Sequence, residues 1–600
     1  MNQDDTMDLN KRILIFLLLF CCCVSADAQW TSDTSMNTPV STAQFQQSQP
    51  QSIADGNGGV IILWTTVVPS GWTNIFAQRY NANGHAQWPL DGVPVSKFSS
   101  LKLNPALVSD GQGGAIVAWE DFRSGNGFTQ TDIYAQRINA AGTVLWDTSD
   151  VAVSTGPLHQ MDIEMTADGS GGAVIVWNDI DLNFQGNAEK VKIAAQRITG
   201  AGSVLWNTNG VPVCAKDSSF AYLDAVIPDG SGGVMVSWTD TRRSSQAGTD
   251  MDIFVQRLSS AGVPMWTVNG RPLCTGTRDA RNSSMTSDGK GGGIISWSDA
   301  RRSGFDFTYS VYAQRFTPLG DTLWAANGIL LSHTAMYADY YTKLVSDGKS
   351  GAIITWQEYR NPSRDISAQR IDSSGILKWS DSGVVVCSLE TDQMYPKIVA
   401  DGQGGAVICW INTDNGTFNN MSVSAQRMNS NGVPVWKTNG IFLSSSNVYM
   451  NADRFHYRKY PSIADDGASG AVIAWTDLRN IAVSDRDIFA QNVRANGLLG
   501  TVTAVRSRES NVPDVFHLEQ NYPNPFNPVT TIEYSVPFAA HATVKVYDAL
   551  GRLVETLEDR FHTAGRYTVQ FSGIGRASGM YLCELRAGNE VRRMKMTMIK

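Results

Sequence analysis

Between Asn104 and Arg123 the chain reads Asn-Pro-Ala-Leu-Val, then Ser-Asp-Gly-Gln-Gly-Gly, then Ala-Ile-Val-Ala-Trp, then Glu-Asp-Phe-Arg. Two apolar runs of strand length flank a polar, glycine-rich break, which predicts strand, tight turn, strand. Asp110-Gly111 tolerates the positive φ of a hairpin turn. Gly113 and Gly114 let the chain leave that turn without a Cβ penalty. The pattern returns at Asp55, Asp168, Asp229, Asp288, Asp347, Asp401 and Asp466, each followed by a Trp (Trp64, Trp177, Trp238, Trp297, Trp356, Trp410, Trp475). A second pattern follows each copy. A variable loop leads to a strand such as Asp132-Ile-Tyr-Ala-Gln-Arg137, then a Gly turn (Gly84, Gly142, Gly202), a second Trp (Trp88, Trp146, Trp206, Trp266, Trp324, Trp379, Trp436) and a short strand such as Val211–Cys214.

Four strands in about 59 residues, joined by short turns, are the mark of β-propeller blades. The eighth unit has its first Trp, Trp475, but no second Trp after Gly497. Trp30 and the strand around Thr38–Ser41 supply the missing piece from the N-terminus. An eight-bladed propeller over residues 29–503, closed by an N-terminal strand, is therefore expected; it leaves no open sheet edge. A solenoid would need capping repeats and no shared end blade. The Gly142-x-x-x-Trp146 spacing resembles the tryptophan-docking motif of the eight-bladed quinoprotein propellers. This chain departs from that family upstream of the Gly, so the resemblance implies a blade count and not a quinone, and no cofactor is expected.

Composition adds address rather than activity. The 600 residues carry a formal charge of −8, 54 Gly and 17 Trp. With no Lys/Arg run to neutralise phosphates, a nucleic-acid partner is not expected. Lys11-Arg12, the apolar run Ile13–Val24 and Ala26-Asp27-Ala28 read as a secretory signal over residues 1–28. The run is short for a transmembrane helix, and no second one follows, so a membrane-spanning chain is not expected. Cys214, Cys274 and Cys387 share one repeat position, filled elsewhere by Ser96, Ser154 or Ser444. Equivalent positions in neighbouring repeats lie too far apart to bridge, so they read as small buried residues.

The last stretch changes character. Residues 504–515 read as a polar linker. The motifs Asn521–Pro537 (NYPNPFNPVTTIEYSVP), Val544–Leu557 (VKVYDALGRLVETL) and Ser578–Gly588 (SGMYLCELRAG) follow. Residues 516–600 resemble the C-terminal type A sorting domain of the type IX secretion system. The resemblance implies a small Ig-like β-sandwich, export across the outer membrane, a partner in the type IX machinery, and a domain often removed on export. The residues agree: Val544, Val546 and Tyr547 sit in a strand, Ala549–Gly551 turns, and Leu553–Leu557 returns.

Candidate chemistry is sparse. The Asp-Gly-x-Gly-Gly segments carry one or two carboxylates each, where a calcium loop spaces three or more, so they read as turns. Trp119-x-Asp121-x-Arg123 recurs at Asp240/Arg242, Asp299/Arg301 and Asp477/Arg479; a residue present in most blades stabilises blades rather than reacting. His85, His159, His333 and His456 share no ligand spacing, and no metal site is expected. What differs between blades is the strand 2–3 and strand 4–1 loops, which share one face and are rich in aromatics. Phe122, Phe128, Phe184, Tyr222, Phe307, Tyr309, Tyr340, Tyr341, Phe418 and Tyr457 are the candidate binding residues, offering flat surfaces to an extracellular glycan or protein, unless they cap the loops with small cores of their own. The expectation is a secreted or surface binding module with no catalytic residues. The alternative is a polysaccharide hydrolase or lyase using Asp179, Asp181, Asp306, Asp339 or Asp453; a purely structural surface or matrix component also fits.

Overall fold

The computed structural model describes residues 30–599, apart from short segments at 69–70, 125–129, 147–148, 183–187, 217–218, 244–249, 276–277, 303–308, 333–341, 361–362, 415–416, 445–447, 450–460, 482–483, 501–515, 538–539, 563–564 and 589. The chain divides into two compact units, one ending at Thr501 and one beginning at Val502. Among the described residues there is strand and turn but no helix, and so none long and apolar enough to cross a membrane. The signal segment and the linker fall outside the described residues.

The first unit consists of eight antiparallel sheets arranged as propeller-like blades. In the second, Lys102–Ser109 pairs with Ala115–Asp121, then Asp132–Ile138, then Val151–Ser154, in chain order. Between Leu103 and Ala106 the first strand is bulged, with Asn104 at φ 48°. Similar bulges recur in the first strands of the first, third and seventh sheets, at Gln49, Asp162 and Tyr395. The second strand, Ala115–Asp121, is buried throughout because both its faces meet neighbouring sheets. That is why it reads as a continuous apolar run rather than an alternation. Eight first Trp side chains, Trp64 to Trp475, are almost fully buried. Each hides roughly 200 Å², a gross gain of about 5 kcal/mol at 25 cal/mol per Å².

The cores bridge consecutive sheets: Ala106, Ile116 and Ile133 share a cluster with Ile163, Ile175 and Trp177. Thr38–Ser41 pairs with Asp487–Val493 and forms the outer strand of the eighth sheet. Trp30 and Val40 join Val60, Ile62 and Trp64 of the first sheet to Val472, Ala474 and Ile488 of the eighth. The glycine turns follow from this packing. Gly142 sits at φ 80°, and a Cβ there would lie 2.8 Å from the Trp88 ring. Gly84 takes the same part against Trp30, where a Cβ would lie 2.3 Å from the Trp30 nitrogen.

The recurring charges hold one sheet to the next. Arg137 donates from Nε and Nη2 to Asp110 Oδ2, at 3.1 and 2.9 Å, and from Nη1 to the Gly200 carbonyl of the following sheet at 2.7 Å. Trp146 Nε1 donates to that same carbonyl at 3.1 Å. The Asp110 carboxylate also caps its own turn, accepting from the Gln112 and Gly114 nitrogens. The pairs Arg79–Asp55, Arg197–Asp168, Arg257–Asp229, Arg315–Asp288, Arg370–Asp347 and Arg427–Asp401 repeat the arrangement. In the eighth sheet Asn492 takes the arginine's place against Asp466, at 3.2 Å.

The second unit has two antiparallel sheets, one of His517–Leu518, Val529–Val536 and Gly565–Ser572, the other of Leu553–His562, Ala540–Asp548, Gly579–Ala587 and Glu590–Met598. Alternation along Ala540–Asp548 and Glu590–Met598 puts Val544, Val546, Met594, Met596 and Met598 into one core with Phe526, Ile532, Tyr534 and Phe571. Among the described residues the five cysteines, at 214, 274, 387, 409 and 583, are buried and unpaired, as their repeat positions predict for the first three.

Candidate functional site

Antiparallel strands place the strand 2–3 loop of each sheet at the same end as the connection from strand 4 to the next sheet, opposite the Asp-Gly turns. At this loop end the Trp-x-Asp-x-Arg pattern closes the blade. Trp119 Nε1 donates to Asp121 Oδ2 at 2.8 Å, and Arg123 Nη2 donates to the same atom at 2.7 Å and to Asp150 Oδ2 at 2.8 Å. Arg123 also lies over the Tyr134 ring at 3.7 Å and the Phe98 ring at 4.1 Å. Arg242 over Phe254, Arg301 over Tyr312 and Arg479 over Phe489 repeat the stack. Hydrogen bonds from Arg123 hold Asp121 below the usual carboxylate range although burial works the other way. These groups are structural, as their repetition predicts.

Asp179 belongs to the same set. It accepts from Trp177 Nε1 at 2.9 Å, and burial raises its carboxyl. Asp306, Asp339 and Asp453 lie outside the described residues.

The ten aromatic candidates divide three ways. Phe128, Phe184, Phe307, Tyr340, Tyr341 and Tyr457 lie outside the described residues, as does the Phe418 side chain, whose backbone runs in the strand Thr417–Met428. Phe122 is half-buried, its nitrogen donating to the Leu101 carbonyl. Tyr309 corrects the expectation of an exposed ring: it is 2 % exposed, packs with Ala300, and donates its hydroxyl to Asp279 Oδ2 at 3.3 Å. The Arg281 guanidinium lies over the ring, 5.4 Å from its centroid. Tyr222 is 41 % exposed and lies parallel to Phe220, with centroids 6.2 Å apart and planes within 7°. The two rings sit where the fourth sheet begins, with Phe220 bridged to Val191 of the third.

The first strands of six sheets line a cavity of about 330 Å³. Gln51, Ser52, Glu164, Lys343, Lys397 and Ser462 give it its polar lining, and Ala106, Leu107, Leu344 and Ile398 its apolar part. Among the described lining residues Glu164 is the only carboxylate, so the paired acids that glycoside cleavage uses are not brought together there. Sequence reasoning missed this lining; the polar positions alternating along the first strands carried the signal. Among the described residues no group of three or more His, Cys, Asp or Glu side chains is placed to hold a metal.

Residues 520–600 match the family described as the secretion system C-terminal sorting domain. The second unit is thus a type IX sorting domain, which directs its protein to the cell surface or outside and engages the type IX machinery. No curated protein matches the chain. The first unit resembles β-propeller structures. The β-propeller domain of the Trilobed protease from Pyrococcus furiosus is 10 % identical, with 64 % of this chain and 97 % of that one covered and a TM-score of 0.35. A polysaccharide lyase, an ulvan lyase, is 14 % identical over 77 % of this chain and 97 % of its own, at 0.35. A family 117 glycoside hydrolase from the marine bacterium Zobellia galactanivorans is 10 % identical over 46 % and 85 %, at 0.27.

Proposed function

We propose that the chain is a secreted or surface-displayed binding protein: a signal over residues 1–28, a closed eight-bladed propeller over 29–503, a linker over 504–515 and an Ig-like sorting sandwich over 516–600. The propeller's loop end engages an extracellular glycan or protein. The observation that carries the binding reading is the Phe220–Tyr222 pair, two parallel rings with Tyr222 exposed at a loop-end strand start. Parallel aromatic faces present an amphipathic plane of the size of a sugar ring or a peptide side chain. The recurring Asp, Arg and Trp side chains are already engaged in holding blades, which leaves recognition to the parts that vary. Glycan-array binding and pull-down from surface extracts with the mature chain test it. Equal binding by wild type and Tyr222→Ala would remove this pair from the reading, and no binding by either would remove the reading itself.

A further inference from the structure

One repeat position obeys a rule of its own. The third-strand residue directly opposite the second position after the first Trp is Asp132, Asp252, Asp365 and Asp487 in the second, fourth, sixth and eighth sheets. In the first, third, fifth and seventh it is Asn74, Lys192, Ser310 and Ser422. Every second sheet therefore ends in a cross-strand acid pair: Asp121–Asp132, Asp240–Asp252, Glu358–Asp365 and Asp477–Asp487. Directly opposed residues project to the same side of a sheet, and like charges there repel.

All eight carboxyl groups are buried. The acid on the second strand is compensated by an arginine two residues on: Arg123, Arg242, Arg360 or Arg479. The acid on the third strand has no such arginine two residues on, and among the described residues only Asp252 of the four meets one elsewhere, the half-exposed Arg243. Asp132 accepts from Ser124, and Asp487 Oδ2 accepts from Asn480 and Ser484 at 2.7 and 2.9 Å. Oδ1 of Asp132 and of Asp487 accepts no hydrogen bond, nor does Oδ2 of Asp252. The charged groups facing each are few. They are Asp121 and Arg123 for Asp132, with the buried Lys102 opposite Asp121 on the first strand, and Asp240, Asp250, Arg242, the Cys274 thiol and the half-exposed Arg243 at 3.4 Å for Asp252. They are Glu358 and Arg360 for Asp365, with the Cys387 thiol alongside, and Asp477 and Asp91 for Asp487.

We propose that these four acid pairs are proton-binding sites, each taking one proton from solvent onto the third-strand carboxyl, so that the loop ends of alternate blades tighten in mild acid and loosen at neutral pH. Two carboxyls sharing a buried site resist double ionisation. A proton suits the place better than a divalent cation. The oxygens of Asp121 are already taken by Trp119 and Arg123, and a cation would sit beside a guanidinium. Burial, with the facing acid adding to it, pushes Asp132, Asp252 and Asp365 up to about 6, and raises Asp487. A carboxyl raised on folding contributes stability that is fully present below the ordinary carboxyl range and is lost as pH rises through the folded value. The window here runs from about pH 4 to about pH 6–7.

The experiment is thermal unfolding of the mature chain at pH 5 and pH 7.5, for wild type and for Asp132→Asn, Asp252→Asn, Asp365→Asn and Asp487→Asn combined. The neutral amide mimics the protonated acid. Four protons taken up on folding give wild type a midpoint about 5 °C higher at pH 5. The fourfold variant shows that difference abolished, with its midpoint at pH 7.5 raised above wild type. Asp132→Asn with Asp487→Asn alone keeps two pairs and loses about half the effect, which serves if the fourfold variant does not fold. A wild-type midpoint that is flat or falls toward pH 5, or the same pH difference in wild type and variants, would overturn the proposal. So would millimolar calcium chloride raising the wild-type midpoint at pH 7.5 but not that of the variants, since the pairs would then hold a cation.

Discussion

At the turn end of each sheet Asp110 and its counterparts meet the same partners seven times: an arginine on the third strand, two turn nitrogens and, through the arginine, a carbonyl of the next sheet. At the loop end five of the eight sheets carry the indole, the acid and its arginine, and the loops then diverge; Tyr309 is buried there while Tyr222 is 41 % exposed. The turn end teaches what a blade requires, because its carboxylate–arginine pair is kept in seven sheets and only Asn492 departs from it. The loop end teaches what a blade can give up.

Four substitutions test that contrast. The largest effect belongs to the join between first and last sheets. Trp30→Ala removes a buried indole that packs against Gly84 and Tyr80, and should lower propeller stability by about 4 kcal/mol in chemical denaturation. A loss below 1 kcal/mol would mean that the N-terminal strand is decoration. Arg137→Ala comes next, at about 3 kcal/mol, because it leaves Asp110 buried without its counter-charge; a near-neutral result would show the turn-end pairs to be dispensable. Tyr222→Ala should cost stability about 0.5 kcal/mol or less, while binding of the extracellular ligand falls in the array. A large stability loss would place Tyr222 with Tyr309 among the ring-capping residues. Arg271→Ala should be smallest, within about 0.5 kcal/mol, since its pair with Asp321 is exposed at 36 % and 59 %.

The same contrast explains what could be read from the residues alone. Strand, turn and Trp are set by neighbours in sequence, so the four-stranded sheets and the pairing of the N-terminal strand with the eighth were legible from spacing. The tasks of Arg137 and Asp121 were legible in kind, because repetition itself argues against catalysis. The carbonyl that Arg137 shares with Trp146 was not, since Gly200 lies 63 residues away and only packing brings it close. Nor was the fate of Tyr309. Loop position predicts an exposed ring, whereas the ring is buried against Asp279 and Arg281, where the first strand of its own sheet begins. The alternation at Asp132, Asp252, Asp365 and Asp487 stood in plain sight, yet it acquires meaning only when register sets each opposite a second acid.

The joints between sheets carry a consequence for assembly. Gly200, Ser260, Ser373, Ser430 and Ala495 each offer one carbonyl to an indole and an arginine from the sheet before. An interlocking surface repeated in this way recognises a neighbour but not which neighbour. The order of blades is therefore carried by the covalent chain, and two molecules folding side by side could exchange blades with joints of equal quality. The one mismatched joint, where Asn492 replaces an arginine and Trp30 arrives from the far end of the chain, is the place where the molecule can tell its own first blade from a stranger's.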